Sequence, residues 1–111
     1  MQIQQITSKE NAKLKAAAKL VHSKKERVNT GSFLAEGCRL CTDALNSGRR
    51  PLRVFVTEQL FEREDCQRLL AASPENYLIT EQLAHKLSDT QTPRGCSAFF
   101  PYLTIAHSLI Q

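Results

Sequence analysis

The stretch that decides the fold is Gly31-Ser-Phe-Leu-Ala-Glu-Gly-Cys-Arg39. Residues 33–35 form a short apolar run bounded by turn residues, which predicts a buried strand. Gly37 allows the backbone to turn tightly. Residues 38–47 then repeat apolar side chains at helical spacing and predict a helix with Leu40, Ala44 and Leu45 facing inward. A strand, a sharp turn and a helix form the repeating unit of an α/β fold.

The flanking sequence continues this alternation. Upstream, Ser8 is predicted to cap a helix whose buried stripe comprises Leu14, Ala17, Ala18 and Val21. Downstream, the predicted elements are a strand at 52–56, an amphipathic helix at 60–72, a strand at 77–79, a short helix at 81–87 capped by Thr80, and a strand at 96–100. The order predicts a layered α/β domain with a mostly parallel or mixed sheet, and the sequence leaves the strand order open.

Length and composition are those of a single globular domain. The chain has 111 residues, of which 41% are hydrophobic and 23% charged. It contains no run of about 18 apolar residues, which excludes a membrane-spanning helix within this sequence. The first residues, Met1 to Ile6, lack the basic start and apolar block of a signal peptide, so the predicted location is the cytoplasm.

Positive charge is concentrated near the N-terminus. Lys9 to Arg27 contains seven basic residues and two glutamates, a net +5, whereas the whole chain carries +4 and the rest therefore sums to −1. Such a basic segment is typical of a polyanion-binding face, although a solvated lysine-rich helix has the same pattern. Aromatic residues make up only 6% and tryptophan is absent, so a nucleic acid is expected to be recognised through its shape and phosphates rather than by base stacking.

The four cysteines allow a further reading. Cys38-x-x-Cys41 resembles half of a zinc site or a redox motif. A structural zinc site needs a second ligand pair, and Cys66 and Cys96 are isolated in the sequence. We therefore predict no metal and small buried thiols, with a metal or redox module as the weaker alternative.

Three segments in order resemble the N-terminal substrate-binding domain of SpoU-type RNA 2′-O-ribose methyltransferases. They are Ile6-x-Ser8-x-x-Asn11-x-Lys13, then Arg27-x-x-x-Gly31-x-Phe33-Leu34-x-Glu36-Gly37-x-Arg39, and Leu87-Ser88-Asp89-Thr90-x-Thr92-Pro93-x-Gly95. The resemblance implies a three-layer α/β/α sandwich, similar to the small ribosomal proteins that bind kinked RNA. It implies rRNA or tRNA as the partner, a domain at residues 1–98, and a tail or linker start at 99–111.

The residues and the resemblance together nominate a site. We predict RNA contacts from Asn11, Lys13, Lys15, Lys19, Lys24, Lys25, Arg27, Arg39 and Arg94. A structural role is predicted for Ser8, Glu36, Gly37, Pro93 and Gly95. Arg27 or Arg39 could form an ion pair with Glu36, which is interpreted as a structural group rather than a general base. The sequence departs from the family at Ala12, Arg94 and Cys96, where proline, glutamine and an aliphatic residue are usual.

The resemblance also implies what this sequence leaves to a parent protein. The asparagine–arginine, glycine–glutamate–glycine and serine–leucine–asparagine motifs of the family's knotted catalytic domain are missing. We therefore expect no catalytic residue here, with S-adenosylmethionine as the cofactor of the parent enzyme only. The chain is expected to be a monomer or weak dimer, and its parent a homodimer. The alternative is a stand-alone RNA-binding protein of the kink-turn ribosomal type.

Overall fold

The computed structural model describes residues 2–89 and 91–101. The strands are β1 (Gln4–Ile6), β2 (Ser32–Glu36), β3 (Arg53–Thr57), β4 (Glu75–Ile79) and β5 (Cys96–Pro101). The helices are α1 (Ala12–His22), α2 (Lys24–Thr30), α3 (Cys38–Asn46), α4 (Glu58–Phe61), α5 (Glu64–Ala72) and α6 (Glu81–Ala84), and a 3-10 turn (His85–Leu87) follows α6. Among these helices none is long and apolar enough to cross a bilayer.

All five strands belong to one mixed sheet with the order β1-β4-β3-β5-β2. β4 pairs in parallel with β1 and β3, whereas β5 pairs antiparallel with β3 and β2. The first four strands therefore point in one direction and β5 runs against them. The predicted mixed sheet is confirmed. The strand order, which the sequence left open, places the antiparallel β5 between β3 and β2, which run parallel to each other.

Helices cover both faces of the sheet, which confirms the three-layer α/β/α architecture. Successive residues of β3 point to opposite faces, so Val54 and Val56 join the core beneath α3 and α5. Phe55 joins a second core with α1 and α6 on the other face. Because β3 is buried on both faces, its sequence is continuously apolar rather than alternating.

The N-terminal helix begins later than predicted and is divided. Asn11, not Ser8, is the N-cap of α1, and its side-chain oxygen accepts from the backbone N–H groups of Lys13 (2.9 Å) and Leu14 (3.2 Å). Ser23 ends α1 and caps α2 by accepting from the N–H of Glu26 at 3.1 Å. The Ser23-Lys-Lys-Glu26 spacing is a capping-box signal that could have revealed this second helix.

Two further predictions were wrong in detail. Leu40 does not face inward, because Cys38 and Cys41 set the buried stripe of α3 and leave Leu40 56% exposed. The predicted helix at 60–72 is two helices, interrupted where Arg63 is extended. Gln67 donates from its side chain to the carbonyl of Phe61 at 2.6 Å and satisfies the end of α4.

The chain ends agree only partly with prediction. β1 was not predicted, because three residues with two glutamines show no apolar alternation. β5 extends to Pro101, past the predicted domain end at residue 98. The rest of the predicted tail, residues 102–111, lies outside the described residues, as does Thr90 of the third motif segment.

Candidate nucleic-acid interface

The second and third motif segments meet at one edge of the sheet, where the parallel strands have their carboxyl ends. Parallel strands place their carboxyl ends together, and in open α/β sheets ligands bind outside those ends. Glu36 ends β2 at this edge and Gly37 follows it, and Thr57 ends β3 there. Because β5 is antiparallel, it begins at the same edge, and residues 91–95, which lead into it, lie beside Glu36.

Glu36 holds that loop in place. Its carboxylate accepts from the Ser88 hydroxyl at 2.9 Å and from the backbone N–H of Arg94 at 2.9 Å. Within the described residues, the predicted ion pair with Arg27 or Arg39 is not formed. The structural interpretation of Glu36 agrees with these contacts, but its partners are Ser88 and Arg94, far away in sequence.

Glycine is required at both ends of this contact. Gly37 has φ +104°, and a Cβ there would lie 2.9 Å from Cδ of Arg94. Gly95 has φ +79°, and a Cβ there would lie 2.9 Å from Oγ1 of Thr57 and 3.1 Å from Cδ1 of Leu60. The backbones also bond directly, since the N–H of Gly37 donates to the carbonyl of Cys96 (2.7 Å) and that of Thr57 to the carbonyl of Gly95 (2.9 Å).

Three arginines surround an open pocket at this edge, which we call the arginine pocket. It has a volume of about 620 Å³ and is lined by Arg39, Arg63 and Arg94 together with Gly37, Cys38, Leu60, Thr92 and Pro93. Within the described residues neither Arg39 nor Arg94 takes part in a salt bridge, so both guanidinium groups can take an anionic ligand. Arg63, which sequence reasoning missed, pairs with Asp65 at 3.0 Å and holds the pKa of that carboxyl below its usual range.

A second hollow, the polar groove, adjoins the arginine pocket at residues 92–94. Its volume is about 320 Å³, and it shares Leu60, Thr92, Pro93 and Arg94 with the arginine pocket. The remaining lining includes Gln59, Gln91 and His85, which can donate or accept hydrogen bonds. The arginine pocket and the polar groove are therefore two parts of one surface.

A third hollow, the lysine groove, lies between α1 and the 3-10 turn. It has a volume of about 530 Å³, an apolar floor that includes Leu14 and Ala18, and a rim that includes Lys9, Lys15, Lys19, His22 and Lys86. Lys15 pairs with Glu10 at 2.6 Å and lowers the pKa of that carboxyl. Lys9 and Lys86 were not predicted as RNA contacts, and Lys86 lies 59 residues beyond Arg27, the end of the basic segment.

The other predicted RNA contacts are distributed differently. Lys13 lies 3.5 Å from Glu75, which also binds Arg53 and the Tyr77 hydroxyl. Arg27 donates from one Nη to the carbonyls of Leu20 (2.6 Å) and Val21 (3.3 Å), and so joins α2 to α1. Lys24 and Lys25 are exposed on α2, and neither lines the lysine groove. Asn11 uses its side-chain oxygen as a helix cap.

The cysteines are not isolated in space. The Sγ atoms of Cys38, Cys66 and Cys96 lie within 4.8 Å of one another, and all three residues are buried. The prediction treated Cys66 and Cys96 as separate from the Cys-x-x-Cys pair. This was wrong, because α5 and β5 place them next to Cys38 at the start of α3. Cys41 instead donates its thiol to the carbonyl of Ala35 at 3.2 Å.

Comparison with known proteins places these features in a family. Residues 11–98 match the model of the MRM3-like substrate binding domain. The chain is 32% identical over 96 residues to the Bacillus subtilis (strain 168) protein named 23S rRNA (guanosine(2553)-2'-O)-methyltransferase RlmP, covering 86% of this chain and 37% of that protein.

Comparison with solved structures shows the same similarity. An RNA 2'-O ribose methyltransferase matches with a TM-score of 0.76 and 29% identity, over 89% of this chain and 38% of that one. An rRNA methyltransferase from Sinorhizobium meliloti matches with a TM-score of 0.74 and 25% identity, over 91% of this chain and 38% of that one. The chain thus spans a little over a third of the length of each of these proteins.

Proposed function

Because the chain belongs to the family of MRM3-like substrate binding domains, we propose that it recognises RNA for an rRNA or tRNA 2′-O-ribose methyltransferase. The observation that carries the proposal is a series of neighbouring basic and polar hollows, which together form a path. The arginine pocket and the polar groove share the 92–94 segment, and His85 of the polar groove is followed in sequence by Lys86 of the lysine groove. The path joins the signature segments to the basic N-terminal helix.

The chemistry of this path suits an RNA backbone. Arginine binds phosphate through two parallel hydrogen bonds, and lysine binds it as a point charge. Glutamine and threonine side chains in the polar groove offer neutral hydrogen bonds to sugars or base edges. Phosphates would lie in the arginine pocket and the lysine groove, with exposed nucleotides between them.

The proposal predicts that the arginine pocket carries salt-sensitive RNA affinity. Wild-type binding to an rRNA hairpin should be weak, on the order of 10⁻⁴–10⁻⁶ M at physiological salt. The double substitution Arg39→Gln/Arg94→Gln should weaken it at least about tenfold, since each charged hydrogen bond contributes about 1.5–3 kcal/mol. The log–log salt slope should fall by roughly 1.4, about 0.7 for each single-strand phosphate no longer neutralised. Fluorescence anisotropy across a salt series measures both quantities.

The matched control is Arg50→Gln/Arg68→Gln, which removes the same charge. Arg50 precedes β3 at the opposite edge of the sheet, and Arg68 is bound to Asn46 on an exposed surface. Equal losses from both double variants would mean that only net charge matters and would refute the assigned interface. A second comparison sets Lys19→Gln/Lys86→Gln against Lys24→Gln/Lys25→Gln. It decides whether RNA follows the lysine groove or the exposed face of α2.

We also predict that the 111-residue chain does not bind S-adenosylmethionine, because the sequence lacks all three motifs of the family's methyl-transfer domain. Titration calorimetry with the cofactor should show no heat of binding, and RNA incubated with chain and cofactor should gain no methyl group. Micromolar cofactor binding would overturn this assignment of roles. In the proposed parent enzyme the cofactor belongs to a separate domain.

The remaining parts of the proposal concern assembly and location. The chain alone should be a monomer or weak dimer, since in the resembling enzymes dimerisation depends mainly on the catalytic domain. A homodimeric parent would present two copies of the RNA path. We infer a cytoplasmic location from the proposed rRNA or tRNA substrate.

A further inference from the structure

Three thiols from distant parts of the chain meet beneath the arginine pocket. Cys38 is the first residue of α3, Cys66 lies in the first turn of α5, and Cys96 begins β5. Cys38 Sγ and Cys66 Sγ are 3.1 Å apart, and Cys96 Sγ is within 4.8 Å of both. All of these cysteines are unbridged in the structure.

The thiols differ in their access to solvent. Cys38 is 9% exposed and lines the arginine pocket together with Arg39 and Arg63. Cys41 and Cys66 are fully buried, and Cys96 is 1% exposed. A small reagent entering the pocket therefore reaches Cys38 first.

The surroundings favour a thiolate at Cys38. Hydrogen bonds from the thiols of Cys96 and, to a lesser extent, Cys66 lower the pKa of Cys38 to about 6, with a smaller contribution from the positive charge of Arg63. Burial and the carboxylate of Asp65 act in the opposite direction. The first turn of α3 adds partial positive charge from its free N–H groups. The pKa of Cys96 is raised, chiefly because its thiol proton is shared with Cys38.

We propose that Cys38 is a site of oxidation by hydroperoxides and that Cys66 resolves the product to a disulfide. In the first step the Cys38 thiolate attacks a peroxide oxygen, the O–O bond breaks, and hydroxide or alkoxide leaves while Cys38 becomes a sulfenic acid. In the second step the Cys66 sulfur attacks Cys38 Sγ, the S–O bond breaks, and the hydroxyl group leaves with the Cys66 proton as water. The peroxide is reduced by two electrons and the two thiols are oxidised by two.

The geometry favours this step over a closed structural zinc site. A closed structural zinc site has four protein ligands. The thiol of Cys41 is directed to the Ala35 carbonyl at 3.2 Å, so the cluster offers three sulfurs. The 3.1 Å approach of Cys38 and Cys66 leaves about 1 Å to close before the bond length of a disulfide, about 2.05 Å, is reached.

The experiment treats the reduced full chain with an equimolar amount of hydrogen peroxide. We expect a mass loss of two hydrogen atoms and the disappearance of two of the four free thiols. Peptide mapping without reductant should show one Cys38–Cys66 link, reversed by dithiothreitol, with Cys41 and Cys96 still open to alkylation. Alkylation of Cys38 in the untreated protein should rise with pH through a midpoint near 6. The midpoint is the readout, because nucleophilicity falls as pKa falls and partly offsets the gain in rate.

Two variants complete the test. Cys66→Ala should stop the reaction at the Cys38 sulfenic acid, which dimedone traps, whereas Cys41→Ala, equally buried, should behave as wild type. A link between Cys38 and Cys96, or equal oxidation of all four thiols, would overturn the assignment. Stoichiometric zinc in the reduced protein that protects the thiols would overturn it in favour of a metal centre. These outcomes are read on the wild-type chain itself, so they stand even if a variant fails to fold.

Discussion

Replacing Phe55 with alanine is expected to lower the free energy of unfolding by about 3–5 kcal/mol. Phe55 is fully buried at the centre of β3, where its ring stacks on Tyr77 with centroids 5.4 Å apart. The substitution loses the transfer free energy of the ring and leaves a cavity beneath α1. Urea denaturation followed by circular dichroism measures the loss.

Two variants of the same contact calibrate that result. Phe55→Leu keeps most of the volume and should cost less than about 1.5 kcal/mol. Tyr77→Phe keeps the stack and removes only the hydrogen bond from the hydroxyl to Glu75 (3.1 Å), worth about 1 kcal/mol. If Phe55→Ala cost no more than Phe55→Leu, the second core would not be the closely packed layer described above.

Gly95→Ala should be nearly as damaging, at about 2–4 kcal/mol, from left-handed backbone strain and from crowding. The crowding is severe because the new methyl group would meet Oγ1 of Thr57 at 2.9 Å and Cδ1 of Leu60 at 3.1 Å. Thr57 is buried and its N–H is bonded to the Gly95 carbonyl, so it cannot move aside freely. Thermal or urea unfolding gives the value.

Gly48→Ala is the matched control. Gly48 has φ +98°, yet among the described residues an added Cβ would meet nothing within 4 Å. It should therefore cost only the backbone strain, about 1–2 kcal/mol. The difference between the two variants measures crowding at the 92–95 loop, and equal losses would contradict the close approach to Thr57 and Leu60.

Much of the architecture could be predicted because burial imposes a pattern on the sequence. The apolar runs at β2, β3 and β5 predict strands buried on both faces, and Thr80 caps α6 as expected by accepting from the N–H of Leu83 at 3.1 Å. Helix starts were less certain, because Ser8 and Asn11 are both good caps. Only tertiary placement of α1 makes Asn11 the residue that accepts from the first turn.

The site was harder to predict because its parts are joined through space. The segments containing Glu36 and Arg94 were both identified, but the bond between their ends depends on the antiparallel placement of β5. Arg63 gave no signal, because it falls within what looks like a single helix at 60–72. The thiol cluster was missed for the same reason: spacing along the chain cannot show that α3, α5 and β5 bring three sulfurs together.

The sheet order has a consequence for how the chain is made on the ribosome. β1 cannot pair until β4 has been synthesised, because Gln4 pairs with Tyr77. β2 likewise cannot pair until β5 has been synthesised, because Phe33 pairs with Phe100. The entropy cost of loop closure must be met before these distant pairings stabilise the chain, and this slows the folding of such topologies. During synthesis β2 therefore emerges with both edges unpaired and stays so until residues 96–101 have left the exit tunnel. Unpaired strand edges favour aggregation, and the nascent chain exposes those of β2 throughout that interval.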